Sequence, residues 1–241
     1  MDAISRIPVI VAAGKGCRMG GALKKQYLVF DKIPVLTRTL MVFDQHDLLD
    51  DIILVVPEDD QTYCRKSIIQ PYAFSQKIHV VAGGKTRQES VFNGLNKAKQ
   101  ITAARAGSLV LIHDGVRPFV SPDLINRLMA VAARQGGCIP VLAVNDTLKL
   151  VARNQQVEKT LDRDQIYRAQ TPQVFCLDLI LKAFAYAGVR NFTGTDDASV
   201  MEHAGFSVYT TRGEVTNIKL TTPDDLILAR HFKEKMQLVL T

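Results

Sequence analysis

Four short apolar runs, at 7–13, 51–56, 77–82 and 109–113, recur along the first half of the chain, each rich in Val, Ile and Leu. They alternate little, which is the pattern of strands covered on both faces, as in a parallel sheet between helices. Between and after them, 35–43, 61–70, 87–97 and 123–134 carry helical spacing. Ser121-Pro122-Asp123 is a helix start, with a capping hydroxyl before a proline at the first helical position. This alternation predicts a doubly wound, mostly parallel α/β sheet. Near residue 145 the pattern changes. The segments 147–151 and 157–160 flank the polar stretch 152–156, which predicts a hairpin arm protruding from the main body. Helices are expected beyond it at 178–187, 196–204 and from 223 to 233, with a strand at 206–211. No repeat or linker interrupts the pattern, so one domain over 1–241 is expected, with the arm at 145–163.

Composition narrows the function classes. Of 241 residues, 47% are hydrophobic and 22% charged, which excludes a disordered chain. The net charge of +6 comes from scattered Lys and Arg, with no basic block. That distribution suits phosphates in a pocket and argues against a nucleic-acid surface. Cys17, Cys64, Cys138 and Cys176 are far apart and form no CxxC, so free thiols in a reducing compartment are expected. The start of the chain lacks the basic and apolar regions of a signal peptide, and no run reaches membrane-spanning length. A cytoplasmic protein without a membrane partner is the expectation.

The first strand leads into Ala12-Ala13-Gly14-Lys15-Gly16-Cys17-Arg18-Met19-Gly20-Gly21, followed by Lys24-Lys25-Gln26. Glycines after a strand let backbone N–H groups approach phosphate oxygens. Arg18 and Lys25 add the cations that a triphosphate needs. The loop lacks the GKS or GKT of a P-loop. It carries Met19 where a dinucleotide fingerprint has its third glycine, which argues against a nicotinamide-dependent dehydrogenase.

Gly14-x-Gly16-x-Arg18-Met19 with Lys25-Gln26 resembles the signature loop of sugar-nucleotide-type nucleotidyltransferases. Further matches follow in order: Gly83-Gly84 with Arg87 and Ser90-Val91, then His113-Asp114-Gly115-Val116-Arg117-Pro118, Asp146-Thr147 and Asp162-Arg163. Gln170-Thr171-Pro172-Gln173, Thr195-Asp196, Asn217-Ile218-Lys219 and Thr222-Pro223 with Asp225 complete the set. Together they resemble the 2-C-methyl-D-erythritol 4-phosphate cytidylyltransferase family of the non-mevalonate isoprenoid pathway. Ribitol 5-phosphate cytidylyltransferases share most of these motifs. Asp162-Arg163 and Thr195-Asp196-Asp197 favour the former.

The resemblance implies a Rossmann-like nucleotidyltransferase fold, CTP and a polyol phosphate as substrates, Mg2+ as cofactor, and a homodimer joined through the arm. It implies Arg18, Lys25 and Lys219 as catalytic cations at the α-phosphate. Ala12, Ala13, Gly14, Gly16, Gly84, Arg87 and Ser90 would surround CTP. Asp114, Arg117, Thr147, Arg163, Thr171 and Thr195 would hold the acceptor, with Thr147 and Arg163 reaching the partner's site, and Asp114 would also organise the metal. Two positions depart from the family pattern. Lys24 replaces a usual proline, so either lysine could act, and Lys25 is preferred because it directly precedes Gln26-Tyr27. Lys85 stands where an acidic or polar residue is common. Each residue also has a structural reading: Asp114 could cap a turn, Asp196 a helix, and His113 could be a packed, hydrogen-bonded side chain rather than a metal ligand.

Overall fold

The structure is a computed structural model that describes residues 4–14, 27–103 and 105–239, with backbone alone for Pro223 and 233–239. The chain begins with β1 (Arg6–Val11), a small hairpin of β2 (Val29–Phe30) and β3 (Ile33–Pro34), and α1 (Val35–Asp44). Next come β4 (Ile52–Val56), a short α2 (Gln61–Tyr63) continued by a π-helical stretch (Cys64–Ile69), β5 (Ile78–Ala82), α3 (Arg87–Ile101), β6 (Leu109–Asp114) and α4 (Pro122–Gln135). The second half holds β7 (Gly137–Ala143), β8 (Leu148–Val151), β9 (Val157–Leu161), β10 (Tyr167–Ala169) and β11 (Gln173–Cys176). It ends with α5 (Leu177–Val189), α6 (Asp197–His203), β12 (Tyr209–Arg212) and α7 (Pro223–Val239).

Among the described residues, eight strands form one sheet in the order β10-β7-β11-β6-β1-β4-β5, with β12 also paired to β7. β1, β4, β5 and β6 are mutually parallel, and β12 is parallel to β7. Only β10 and β11 run antiparallel to their neighbours. Both pair with β7, at its end and at its start, so they form one strand broken at Gln170-Thr171-Pro172. The Thr171–Pro172 peptide is cis. This is the doubly wound, mostly parallel sheet expected from the apolar runs.

The apolar residues divide between two faces with period two, as strand geometry requires. Ile10, Leu54 and Leu111 pack against Leu36 and Leu40 of α1 and Leu124 and Leu128 of α4. Val9, Ile53 and Val110 point the other way, against Leu95 of α3 and Ile180 and Phe184 of α5. The helix ends follow their local chemistry. Ser121 Oγ accepts the N–H of Leu124 at 3.0 Å before Pro122, and α4 stops at Gly136, whose φ of +86° favours glycine.

Some elements differ from expectation. The helix expected at 61–70 is a short α-turn running into a π-helical stretch. The strand expected at 206–211 begins at Tyr209, and the last helix continues to Val239. β7, β10 and β11 were not predicted. β7 contains Gly137 and Pro140, residues that weaken a strand signal. The predicted arm is present as the β8–β9 hairpin, which forms a sheet of its own. Lys149 pairs with Thr160 across it and donates from Nζ to Thr160 Oγ1 at 2.6 Å.

α3 lies very close to the sheet. A Cβ on Gly94 would sit 2.5 Å from Val9 Cγ1 and 3.0 Å from Val55 Cγ2. Overpacking of this kind costs about 1–3 kcal/mol, against roughly 1 kcal/mol that alanine gains over glycine inside a helix. Gly94→Ala is therefore expected to lower the denaturant midpoint, and Gly94→Val to lower it further. A midpoint unchanged or raised by Gly94→Ala would contradict this packing.

Candidate active site

The carboxyl ends of β1, β4, β5 and β6 share one edge of the sheet, where ligands of open α/β folds bind. The turns leaving them are stitched together by backbone bonds. Ala12 N–H donates to Val55 O at 2.8 Å, Gly83 N–H to Val56 O at 2.7 Å and Gly115 N–H to Val11 O at 3.0 Å. Gly83 has to be glycine, because a Cβ there would lie 2.5 Å from Ala13 Cβ and 2.9 Å from Ser90 Oγ. Above this floor opens a cavity of about 530 Å³. Ala12, Ala13, Gly14, Gly84, Arg87 and Ser90 all line it, as do Lys85, Asp114 and Lys219. Ser90 Oγ accepts the Gly84 N–H at 3.0 Å and donates to Thr86 O at 2.8 Å. Its hydroxyl therefore shapes the Gly84 turn as well as facing the cavity.

Asp114, at the end of β6, is the electrostatic centre of the cavity. Its Oδ2 lies 3.0 Å from Lys219 Nζ and 3.4 Å from Arg117 Nε. Burial works against its charge, but Lys219, Arg87 and Arg117 outweigh that and hold the carboxyl well below the usual range. Arg117 is anchored in turn by donating from Nη1 to Asn217 O at 2.7 Å. The segment carrying Lys219 is pinned by several bonds. Asn217 Nδ2 donates to Thr171 O at 2.8 Å, Gln170 Nε2 donates to Glu214 O at 2.8 Å, and Leu220 N–H donates to Val116 O at 2.9 Å. Residues a hundred positions apart in sequence thus meet at one carboxylate.

His113 organises the same turn from below. It is fully buried and packs 4.9 Å from the Phe43 ring centroid. Nε2 lies 2.9 Å from Arg117 O and Nδ1 lies 3.1 Å from Thr171 Oγ1. A carbonyl can only accept, so Nε2 carries the proton and Nδ1 accepts from the Thr171 hydroxyl. Thr171 Oγ1 also accepts the Asp114 N–H at 3.2 Å. Burial is the main cause that pushes the imidazole down, from 6.5 to about 4, so it is neutral at physiological pH. His113 is thus a hydrogen-bonding core histidine, and the Thr171 hydroxyl is engaged in positioning Asp114.

A second ion pair was not foreseen from the sequence. Arg87 donates from Nη1 to Asp197 Oδ1 at 3.0 Å and from Nη2 to Asp197 Oδ2 at 2.7 Å. Burial pushes the Asp197 carboxyl up, and Arg87 opposes that shift. Asp197 opens α6, where Asp196 forms a capping box with Ser199. Gln173 ties the helix start to β11, donating to Asp196 Oδ2 at 2.7 Å and accepting the N–H groups of Asp197 and Ala198 at 3.1 and 3.0 Å. Nothing in the sequence marks an aspartate as the partner of an arginine 110 positions away.

The remaining expected residues are placed as follows. Thr195 precedes the capping box and is exposed, outside the lining of the cavity. Thr147 is exposed at the base of the arm, and Arg163 donates from Nη1 to Asn145 O across that base. Neither lines the cavity. Gly16, Arg18, Lys24, Lys25 and Cys17 lie outside the described residues. Among the described residues Cys138 and Cys176 are free thiols, and Cys64 Sγ donates to the Tyr27 hydroxyl at 3.4 Å. Among the described residues, no three His, Cys, Asp or Glu side chains cluster as metal ligands, and no helix is long and apolar enough to cross a membrane.

Comparison with known proteins points the same way. The family described as IspD: 2-C-methyl-D-erythritol 4-phosphate cytidylyltransferase matches residues 7–235. Two relatives carry the same name. One from Alkaliphilus oremlandii is 42% identical over 230 residues, 95% of either chain. One from Syntrophotalea carbinolica is 44% identical over 224 residues, covering 93% of this chain and 94% of the relative. The fold is similar to the crystal structure of 4-diphosphocytidyl-2C-methyl-D-erythritol synthase from Anaerococcus prevotii, with a TM-score of 0.80, 33% identity and 97% coverage of both chains. It is also similar to 2-C-methyl-D-erythritol 4-phosphate cytidylyltransferase from Francisella tularensis, with a TM-score of 0.79, 33% identity and coverage of 94% and 98%.

The buried neutral His113 has a signature in stability. An unfolded histidine takes up its proton near pH 6.5, whereas the native one does so only at about 4. Stability is therefore expected to fall as pH drops from 6.5 towards 4, by roughly 3 kcal/mol from this residue. Asp114 acts in a separate window: its depressed pKa gives stability that is lost only as pH falls below the ordinary carboxylate range. Urea titrations at stepped pH test this. In His113→Asn the loss between pH 6.5 and 4 should flatten, and an unaltered slope would contradict the neutral assignment.

Proposed function

We propose, from the premise that this chain belongs to the 2-C-methyl-D-erythritol 4-phosphate cytidylyltransferase family, that it transfers CMP from CTP to 2-C-methyl-D-erythritol 4-phosphate and releases pyrophosphate. The observation that carries the reading is the convergence of Lys219, Arg117 and Asp114 beside the glycine turns lining one cavity. This step serves isoprenoid precursor synthesis by the non-mevalonate route.

In the transfer, a phosphate oxygen of the acceptor forms a bond to the α-phosphorus of CTP. The bond from that phosphorus to the bridging oxygen breaks, and its electrons leave with pyrophosphate. Phosphoryl-type transfers are accelerated mostly by positioning and charge stabilisation. Lys219 supplies a cation held in place by Asp114, and Arg18 and Lys25 of the glycine loop supply two more. Ala12, Ala13, Gly14, Gly16, Gly84, Arg87 and Ser90 surround the nucleotide. Asp114, Arg117, Thr171 and Thr195 serve the acceptor from one subunit, and Thr147 and Arg163 from the other.

The donor set suits Mg2+ of the kind that accompanies a nucleotide. Mg2+ keeps several waters and takes one or two carboxylates plus phosphate oxygens. Asp114 is ionised beside the cavity, with Lys219 and Arg117 at its Oδ2. Asp114 is the residue that would hold Mg2+, which would supply positive charge against the triphosphate.

The chain acts as one domain whose arm embraces a second subunit. Leu150, Val151 and Val157 of the arm are 41%, 52% and 54% exposed, an apolar strip that a homodimer would cover. The free thiol of Cys138 supports a cytoplasmic location.

CTP, 2-C-methyl-D-erythritol 4-phosphate and Mg2+ should together yield pyrophosphate, and ribitol 5-phosphate should be the poorer acceptor. Pyrophosphate release favouring ribitol 5-phosphate would refute the substrate assignment. Lys219→Ala is expected to lower turnover by about 10²- to 10³-fold, the scale of one lost transition-state donor; undiminished turnover would remove Lys219 from the chemistry. Arg163→Met should raise the acceptor KM, and an effect confined to the KM for CTP would reassign that residue. Deleting 151–157 should weaken dimerisation by sedimentation.

A further inference from the structure

We infer that Asp197 is a positioning residue for the nucleotide, acting through Arg87; this rests on the reading that the cavity takes CTP. Arg87 is the first residue of α3 and lines the cavity. Its guanidinium is bound end-on by both Asp197 oxygens, at 3.0 and 2.7 Å, while the Asp197 side chain is 1% exposed. A guanidinium has five N–H donors in a fixed fork. Asp197 uses two of them. For the other three, no bond to another described residue competes with a ligand. The Arg87 side chain remains 35% exposed at the cavity wall.

The pair does two things to the cavity. First, it freezes a side chain that otherwise samples many rotamers, so less freedom is lost when an anionic or hydroxyl oxygen of the nucleotide meets the remaining donors. Second, the carboxylate offsets much of the arginine's charge. Arg87 thereby becomes an oriented donor more than a free cation. The support behind Asp197 is rigid: Gln173 Oε1 holds its N–H at 3.1 Å, and the Asp196 capping box fixes the helix start. Asp197 itself is buried behind Arg87, so its influence passes through the arginine.

The test is a double-substitution cycle on the full-length enzyme, reading KM for CTP, KM for the acceptor, kcat, and CTP binding by calorimetry. Asp197→Asn cannot accept both guanidinium N–H groups, because its own amide would face one of them. It is expected to raise the KM and Kd for CTP by about tenfold, the scale of one lost charge-assisted hydrogen bond. The acceptor KM should stay within about twofold, as expected when only nucleotide binding is touched. In an Arg87→Met background, Asp197→Asn should add nothing further to the KM for CTP. An equal rise in both backgrounds would overturn the proposal, since Asp197 would then act by general structure. If Asp197→Asn does not fold, Arg87→Lys decides, because a lysine keeps the charge but cannot make the two-point fork. It should weaken CTP as much as Arg87→Met does, and wild-type affinity in Arg87→Lys would overturn the inference. Failure of the underlying reading looks different: Arg87→Met would then leave CTP binding untouched, or CTP would not bind the wild-type enzyme at all.

Discussion

The carboxylate of Asp114 is the constraint on which the site depends. It is nearly buried at the end of a central strand, where an isolated charge would be strongly disfavoured. Three cations from three separate parts of the chain resolve that conflict: Arg87 at the start of α3, Arg117 in the turn after β6, and Lys219 in the segment before α7. Arg87 is held there by Asp197 and Arg117 by the Asn217 carbonyl, and the three cations line one cavity or border it. Removing one partner from such a cluster leaves charge unbalanced in a partly dry site, so stability and chemistry are coupled there.

The fold delivers these groups because parallel strands end at a common edge. β1, β4, β5 and β6 place four turns side by side, and close contact between them demands small residues at Ala13 and Gly83. The broken strand of β10 and β11 adds Gln170 and Thr171 at the same edge from the opposite direction. The Gln170 side chain and the Thr171 carbonyl hold the Asn217 segment, and the Thr171 hydroxyl holds the Asp114 turn. Thr171 and Ser90 illustrate a shared principle: hydroxyls beside the cavity keep the turns in shape through their own hydrogen bonds, whatever else they touch.

Much of this was legible in the amino-acid order. Runs rich in Val, Ile and Leu marked β1, β4, β5 and β6, and the serine–proline start marked α4. The motifs around Gly84, Asp114 and Lys219 located side chains that do share one cavity. β7 escaped because Gly137 and Pro140 interrupt the apolar signal, although neighbouring strands on both sides sustain it. The Asp197 role was hidden for another reason. Its partner Arg87 is remote in sequence, and a burial-driven pairing leaves no local pattern. In Thr195-Asp196-Asp197 the eye falls on the threonine and the capping aspartate, while the structurally decisive carboxylate is the third residue.

In the proposed transfer Lys219, steadied by Asp114, faces the phosphorus that is attacked. A crystal structure with a non-hydrolysable CTP analogue and Mg2+ tests this most directly. It should show Lys219 Nζ within about 3 Å of an α-phosphate oxygen, an ordinary hydrogen-bond distance, with its contact to Asp114 retained. A triphosphate lying away from the end of β6, with Lys219 paired to Asp114 alone, would contradict it.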